Sequence, residues 1–191
     1  MGKPGKITII TGPMFAGKTT KLISEMLKAR KQNKRTVLFK SAVDTRYSKS
    51  EVVSHDGLKL EAQILPEGQE CLTTLRNAAA NYDIIGIDEG HFWDGTRGLP
   101  ELLDDLAFGS KSIYISMLNR KSIDGKAFDI GKELIPIADK IHHLESKCAK
   151  CGKGATFTQR IVSNKDDKNE SLVGGIEAYE ARCRKCFIRP I

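Results

Sequence analysis

The sequence lacks any apolar run long enough to cross a membrane. Its first apolar residues, Ile7, Ile9 and Ile10, form a run far shorter than the core of a secretory signal, and no small-residue cleavage pattern follows them. Lys6 stands where an N-terminal myristoylation signal requires serine or threonine. We therefore expect a cytoplasmic protein with no membrane partner.

Internal repeats and low-complexity segments are also missing, and 191 residues leave no room for a second large domain. The length is sufficient for one domain with a buried core and a small appendage. Acidic residues are in the minority, with 24 Asp and Glu against 31 Lys and Arg, and the net charge is +7. This charge favours polyanionic partners such as nucleotides or nucleic acid, although a solvated basic surface explains it equally well.

Short apolar runs alternate with helical patterns over most of the chain. Four nearly continuous runs predict buried parallel strands at residues 6–11, 35–40, 83–88 and 112–117. Apolar residues at helical spacing predict helices at Leu22, Ile23, Met26 and Leu27, at Leu72, Leu75, Ala78 and Ala79, and at Leu99, Leu102, Leu103 and Leu106. Strands that alternate with helices in this way predict an α/β fold.

Residues 12–19 read GPMFAGKT and match the phosphate-binding pattern G-x-x-x-x-G-K-[ST]. The pattern follows a predicted strand and precedes a predicted helix, which is the context that phosphate binding requires. Backbone N–H groups and the positive end of the helix would surround the phosphate oxygens. Lys18 would reach the β- and γ-phosphates, and the Thr19 hydroxyl would ligate Mg²⁺. The alternative is a glycine-rich turn that contains a lysine by chance.

The third predicted strand ends in two carboxylates, within the stretch IGIDEGH at residues 85–91. In this arrangement Asp88 is expected to hold Mg²⁺ through water, and Glu89 faces the reacting centre. Glu89 would accept the proton of an attacking hydroxyl group. A substrate alcohol at that position would make the protein a kinase, whereas water would make it an ATPase.

Four of the five cysteines form two pairs, Cys148-x₂-Cys151 and Cys183-x₂-Cys186. In a cytosolic chain two such pairs are typical of a structural zinc site with four thiolates. A thioredoxin-like redox motif is the alternative, but it belongs at a strand-to-helix junction and these pairs lie beyond the α/β pattern. Cys71 lies on an apolar helical face and is assigned to the core.

The composition changes near residue 145, where the cysteine pairs begin and the periodic apolar pattern fades into the polar stretch SNKDDKNES at residues 163–171. His142 and His143 are assigned to a strand, because four thiolates already complete a zinc shell. We predict a P-loop domain over residues 1–144 and a zinc-binding domain over residues 145–191.

Seven segments, taken in order, resemble the type II, tetrameric thymidine kinases: GPMFAGKTT, DTRYS, SHDG, IDEGHF, KELIPIADKI, CAKCGKGATFTQR and VGGIEAYEARCRKC. The resemblance covers nearly the whole chain. It implies a P-loop NTPase (RecA-like) parallel sheet flanked by helices, followed by a small zinc domain with a lasso loop. It also implies transfer of the γ-phosphoryl group of ATP to the 5′-hydroxyl of thymidine, giving dTMP and ADP in nucleotide salvage.

The resemblance further implies Mg²⁺ with ATP, a structural Zn²⁺, a homotetramer and no stable nucleic-acid partner. Glu89 matches the family's general base, Lys18 its phosphate lysine, and Asp44 and Arg46 match residues that serve the metal and the transferring phosphate. The implied ATP site comprises Gly12, Pro13, Met14, Phe15, Ala16, Gly17, Lys18, Thr19, Thr20, Asp44, Arg46, Asp88, Glu89, Gly90 and His91. The implied thymidine site comprises Met14, Phe92, Leu118, Phe128, Thr158, Glu170, Ser171, Leu172, Val173, Gly174 and Tyr179.

The sequence departs from this family pattern at three places. His91 stands where glutamine is usual, residues 122–124 replace an aromatic residue near the base, and Asn119 and Arg120 break the usual run after Leu118. These changes bear on nucleoside specificity, so deoxyuridine or an analogue is expected to be accepted comparably.

Two other readings use the same residues. The DEGH stretch resembles the DExH box of helicases, and the basic charge suits nucleic acid, which would make the protein a P-loop ATPase or helicase-like protein. Such motors need a second motor domain, which this length cannot contain. A zinc-bearing binding module with a nucleotide-dependent switch is the other reading, and Glu89 beside Asp88 argues against it.

Overall fold

The computed structural model describes residues 3–43, 50–54, 57–162 and 174–189. In chain order its elements are β1 (Ile7–Gly12), α1 (Lys18–Lys31), β2 (Thr36–Ser41), β3 (Glu51–Val53), β4 (Lys59–Glu61), β5 (Gln63–Leu65), α2 (Glu70–Asn81), β6 (Ile84–Ile87), a 3₁₀ helix (Gly90–Trp93), α3 (Leu99–Phe108), β7 (Ser112–Leu118), α4 (Asp129–Ile137), β8 (Lys140–His143), β9 (Ser146–Lys147), β10 (Gly154–Ala155), β11 (Phe157–Arg160) and β12 (Tyr179–Arg182).

Six of these strands form one sheet in the order β5-β2-β6-β7-β1-β8. Every pairing within that sheet is parallel. The four predicted strands correspond to β1, β2, β6 and β7, and the three predicted helices to α1, α2 and α3. The predicted α/β sheet is therefore confirmed. The carboxyl ends of its parallel strands meet at one edge, where ligands bind in folds of this kind.

Helices cover both faces of the sheet, and each face has its own apolar core. The buried side of α1 packs with Ile10 and Leu38 on one face. The helices α2, α3 and α4 pack with Ile7 and Ile9 on the other face. Ile9 and Ile10 lie in different cores because successive side chains of a strand point to opposite faces. This two-sided burial accounts for the continuous apolar runs in the sequence.

Cys71 lies at 0% exposure in α2, as its place in the helical pattern predicted. Burial raises the pKa of its thiol to about 11, which keeps the group protonated near neutral pH. His142 and His143 lie in the edge strand β8, also as predicted. Among the described residues no helix has the length and apolar character needed to span a membrane.

The chain after Glu145 forms two small antiparallel pairs, β9 with β10 and β11 with β12. A third apolar cluster, which includes Cys148, Ala155 and Ala181, lies among these strands. Phe15 of the P-loop packs against this cluster, and the Ser146 hydroxyl donates to the Phe15 carbonyl at 3.1 Å. The cysteine-bearing part of the chain therefore contacts the phosphate-binding loop directly. The domain boundary at residue 144 stays a prediction.

Candidate active site

The phosphate-binding loop follows β1 and leads directly into α1. Gly12 is required by close packing, because a Cβ atom there would lie 2.5 Å from the Leu144 carbonyl oxygen. Gly17 adopts φ +76°, a conformation that favours glycine, and α1 begins at the next residue. The first turn of α1 contains no acidic side chain, so nothing there offsets the positive end of the helix dipole. This loop is suited to binding an anion.

Lys18 is buried within the loop, and its ammonium group donates to the Pro13 carbonyl at 2.8 Å. This contact keeps the charged end of the side chain folded over the backbone on which phosphate is expected to bind. A phosphate group carries a full negative charge and is a stronger acceptor for an ammonium group than a carbonyl oxygen is. Lys18 can therefore exchange this contact for a phosphate without leaving the loop.

The two side chains expected to serve Mg²⁺ meet where α1 faces the end of β6. The Thr19 hydroxyl lies 3.3 Å from both carboxylate oxygens of Asp88, which is buried. Oxygen donors from a hydroxyl and a carboxylate are the ligands that Mg²⁺ prefers. The donor set fits the ion.

Ser116, which lies on β7, completes this cluster and was not predicted from the sequence. Its hydroxyl donates to the Asp88 carboxylate and accepts the Glu89 backbone N–H at 3.3 Å. The side chain is fully buried. A small polar residue inside the apolar run SIYISM was the available signal, because a buried hydroxyl needs a partner.

Glu89 adopts a left-handed backbone conformation, with φ 54° and ψ 45°, immediately before the 3₁₀ helix. Such conformations are uncommon for residues other than glycine and occur often at active sites. The side chain is 15% exposed, and its Oε2 atom lies 3.6 Å from Nδ1 of the buried His91. This conformation turns the chain away from the direction of β6 and into the 3₁₀ helix.

His91 links Glu89 to residues expected to line the thymidine site. Its ring stacks on Phe92 at 4.7 Å and lies 4.9 Å from the Phe128 ring. The Leu118 backbone N–H donates to Nδ1 of His91 at 3.4 Å. The structure thus brings together three of the predicted nucleoside-site residues, Phe92, Leu118 and Phe128, around His91.

The remaining described members of the predicted nucleoside site lie near the P-loop and on β11 and β12. The Met14 backbone N–H donates to the Thr158 hydroxyl at 2.9 Å, which joins the P-loop to β11. Tyr179 begins β12, where it pairs with Arg160. Gly174 lies in the segment before that strand. Six predicted residues, Asp44, Arg46, Glu170, Ser171, Leu172 and Val173, lie outside the described residues.

A cavity of about 250 Å³ lies beside this region, between α4, the ends of β1 and β7, and β8. Its lining includes Thr11, Met117, Ala127 and His143. Glu89, Phe92, Phe128 and Thr158 are not part of that lining. Asn119 and Arg120 also line it, so the cavity borders the predicted site residue Leu118 and, through Ala127, Phe128.

The four paired cysteines converge as the sequence predicted. The sulfur atoms of Cys148, Cys151, Cys183 and Cys186 all lie within 4.8 Å of one another. The sulfur atoms of Cys151 and Cys183 lie 3.6 Å apart. Four thiolates at Zn–S distances of ~2.3 Å in a tetrahedron would lie about 3.8 Å apart. The cluster fits a structural zinc site.

The surroundings lower the pKa of the Cys148 and Cys183 thiols, which favours the deprotonated form that binds metal, and they raise the pKa of Cys186. Burial raises the pKa of the Cys148 thiol, but backbone N–H groups of Cys183, Cys151 and Lys150 outweigh it and lower the pKa to about 6. The neighbouring thiols of Cys183 and Cys151 raise the pKa of Cys186 to about 12. Converging thiolates repel one another, and a divalent cation at their centre removes that repulsion.

Comparison with known proteins points to one family. A family model described as thymidine kinase matches residues 5–187. The chain is 40% identical to a thymidine kinase of Thermococcus kodakarensis, with 97% of this chain and 95% of that protein covered. It is 35% identical to a thymidine kinase of Pyrobaculum aerophilum, with 96% and 99% covered, and 36% identical to one of Mycoplasma capricolum, with 98% and 91% covered. The chain belongs to the thymidine kinase family.

Proposed function

We propose that this chain transfers the γ-phosphoryl group of ATP to the 5′-hydroxyl of thymidine, giving dTMP and ADP. One observation carries the proposal beyond family membership. The phosphate-binding loop lies beside the contact between Thr19 and Asp88. Glu89, which follows Asp88, faces the buried His91, and His91 packs against Phe92 and Phe128. The residues predicted to bind phosphate, metal and nucleoside therefore surround the Glu89 carboxylate.

In this mechanism the protein acts mainly by positioning and by electrostatic stabilisation. The loop amides and Lys18 bind the β- and γ-phosphates. Thr19 and Asp88 would hold Mg²⁺, which would offset the charge on the phosphate oxygens. Asp44 and Arg46 are assigned to the metal and the transferring phosphate by the family resemblance. Glu89 accepts the proton of the 5′-hydroxyl as its oxygen attacks in line.

The proposal includes the assembly that the family resemblance implies, together with the location, domain boundary and zinc site expected from the sequence. The protein is a homotetramer and is cytoplasmic, the domain boundary lies at residue 144, and the cysteine cluster holds a structural Zn²⁺. Sedimentation equilibrium of the purified chain tests the assembly, since a monomer at micromolar concentration would contradict it. Metal analysis of the same sample tests the zinc.

The deciding experiment is a nucleoside panel with ATP labelled in the γ-phosphate. Thymidine, deoxyuridine, deoxycytidine and deoxyadenosine are compared for labelled 5′-monophosphate. We expect label in dTMP, comparable label with deoxyuridine, and little with the other two. Release of labelled inorganic phosphate without any labelled nucleotide would contradict the proposal. Stimulation of that release by DNA or RNA would revive the helicase-like reading, which the family match does not favour.

A further inference from the structure

The segment between β7 and α4, residues 119–127, contacts the cysteine-bearing part of the chain at several points. The Asn119 side-chain amide donates to the Thr156 carbonyl at 2.9 Å. The Arg120 guanidinium carbon lies 4.8 Å from the centre of the Phe157 ring. These contacts join the segment to the first residue of β11 and to the residue before that strand.

Arg120 holds the segment in two ways at once. Its Nη1 atom donates to the Gly125 carbonyl at 2.9 Å, which closes the bend from within. Its half-buried guanidinium group also lies over the buried Phe157 ring in a cation–π contact. Two further backbone hydrogen bonds, Lys121 N–H to Lys126 and Gly125 N–H to Lys121, complete the bend.

Phe157 is connected in turn to the second cysteine pair. Its ring stacks at 4.7 Å on Phe187, the residue that follows the metal-ligand candidate Cys186. The Phe187 backbone N–H donates to the Cys183 carbonyl at 2.9 Å. Gly125 adopts φ +71°, and a Cβ atom there would lie 3.0 Å from the Phe187 ring. The bend at Gly125 therefore packs against the Phe187 ring, and the position of that ring is fixed by the hydrogen bond of the Phe187 backbone to Cys183.

The other end of the segment leads into the predicted nucleoside site. Lys121 Nζ lies 3.9 Å from the Asp94 carboxylate and 5.7 Å from the centre of the Phe128 ring. Asp94 also accepts the backbone N–H of Ile130 at 2.6 Å, within the first turn of α4. Phe128 caps that helix and packs against His91. A displacement of residues 119–127 would therefore move Phe128 as well.

We propose that Arg120 is a positioning residue for the nucleoside site. Through Phe157 and Phe187 it transmits the folded state of the cysteine cluster to residues 119–127 and hence to Phe128. The effect on the nucleoside rests on the proposed function, whereas the mechanical coupling does not.

The test compares Arg120→Met with Arg120→Lys, which keeps the cation, and with two controls. Arg184→Met removes the other guanidinium near the Phe157 ring, at 5.1 Å, which lies outside the segment. Lys126→Met removes a cation from the same segment that pairs locally, with Asp124 at 3.5 Å. Metal content and circular dichroism establish that each variant is folded and loaded.

The first measurement is amide hydrogen exchange of a peptide that covers residues 119–127. We expect protection to fall by about threefold or more in Arg120→Met, to recover partly in Arg120→Lys, and to fall in the wild-type chain when a chelator removes its metal. Both controls should exchange like the wild-type protein. Unchanged exchange in zinc-loaded Arg120→Met would overturn the coupling. Exchange of the wild-type peptide that does not change when the chelator is added would overturn it too.

The second measurement separates the effect on the nucleoside from the coupling itself. In Arg120→Met we expect the thymidine KM to rise about three- to tenfold, with kcat and the ATP KM nearly unchanged. Faster exchange with an unchanged thymidine KM would overturn the positioning role. If no form of the enzyme phosphorylates any nucleoside, the proposed function fails, and the exchange data still decide whether the coupling exists.

Discussion

Glu89 is the residue on which the proposed chemistry depends most directly. Its left-handed backbone places the carboxylate after the buried Asp88, with His91 3.6 Å away. A backbone conformation of this kind costs on the order of 1–3 kcal/mol and persists where the surroundings impose it. Here the imposing contacts include the hydrogen bond from the Glu89 N–H to Ser116.

Glu89→Gln keeps the size of the side chain and removes its basicity. We expect kcat to fall by about 10² or more, the usual scale for losing a general base, with little change in the ATP KM. Steady-state kinetics with thymidine as acceptor measures this. Glu101→Gln, an exposed position on α3, is the matched control and should behave like the wild-type enzyme. Full turnover by Glu89→Gln would assign proton transfer to another group.

Ser116→Ala removes the hydroxyl that donates to Asp88 and accepts from the Glu89 backbone. Hydrogen bonds to charged groups contribute about 1.5–3 kcal/mol, so we expect kcat/KM to fall roughly ten- to hundredfold. We also expect a higher Mg²⁺ concentration for half-maximal rate, because Asp88 loses a group that orients it. Ser112→Ala, at the other end of the same strand, is the control. A Mg²⁺ requirement unchanged in Ser116→Ala would show that the hydroxyl does not orient the metal ligand.

At the scale of elements, the order of the strands brings the site together. The strands β1 and β6 are not neighbours, and both pair with β7 between them, with Gly12 beside Leu118 and Ile87 beside Ile115. The sequence predicted the loop and the acidic pair separately, because each has a local signature. It could not predict that Ser116 lies between them, since strand order depends on long-range packing that no short pattern encodes.

Gly12→Ala tests whether β1 needs its close approach to the chain after β8. The added Cβ would lie 2.5 Å from the Leu144 carbonyl oxygen, which is backbone and cannot rotate away. We expect the free energy of unfolding to fall by about 1–3 kcal/mol, the usual cost of overpacking, and the ATP KM to rise. Thermal unfolding and ATP kinetics measure the two effects.

The neighbouring motif glycine supplies the comparison for that variant. A Cβ atom added at Gly17 would have no atom of the described residues within 4 Å, and only the φ of +76° opposes alanine. Gly17→Ala should therefore cost less stability, about 1 kcal/mol. Equal stability of Gly12→Ala and the wild-type protein would mean that the strand can shift away from Leu144 without loss.

At the scale of the whole molecule, the cysteine-bearing segment supports both halves of the site. It contacts the P-loop through Phe15 and Ser146, and the predicted nucleoside site through Thr158. The convergence of the four cysteines on one site was predictable from their spacing alone. The contact with Phe15 was not, because an isolated aromatic residue in a loop carries no information about its partner. The contact of Arg120 with Phe157 was not predictable either, because the two residues are far apart in the sequence.

Cys183→Ser tests this support by removing one of the four thiols. We expect metal content to fall below one equivalent, and the thymidine KM to rise about tenfold, because Thr158 and Tyr179 lie on the strands that the cluster holds together. The ATP KM should rise less, since the described contacts of this segment with the P-loop fall on Met14 and Phe15, near the start of the loop. Metal analysis and kinetics with each substrate varied in turn separate the two effects. Cys71→Ser, at a buried cysteine in α2 that lies outside the cluster, controls for the loss of a thiol. An unchanged thymidine KM in a variant that has lost its metal would mean that the nucleoside site holds its shape without the cluster.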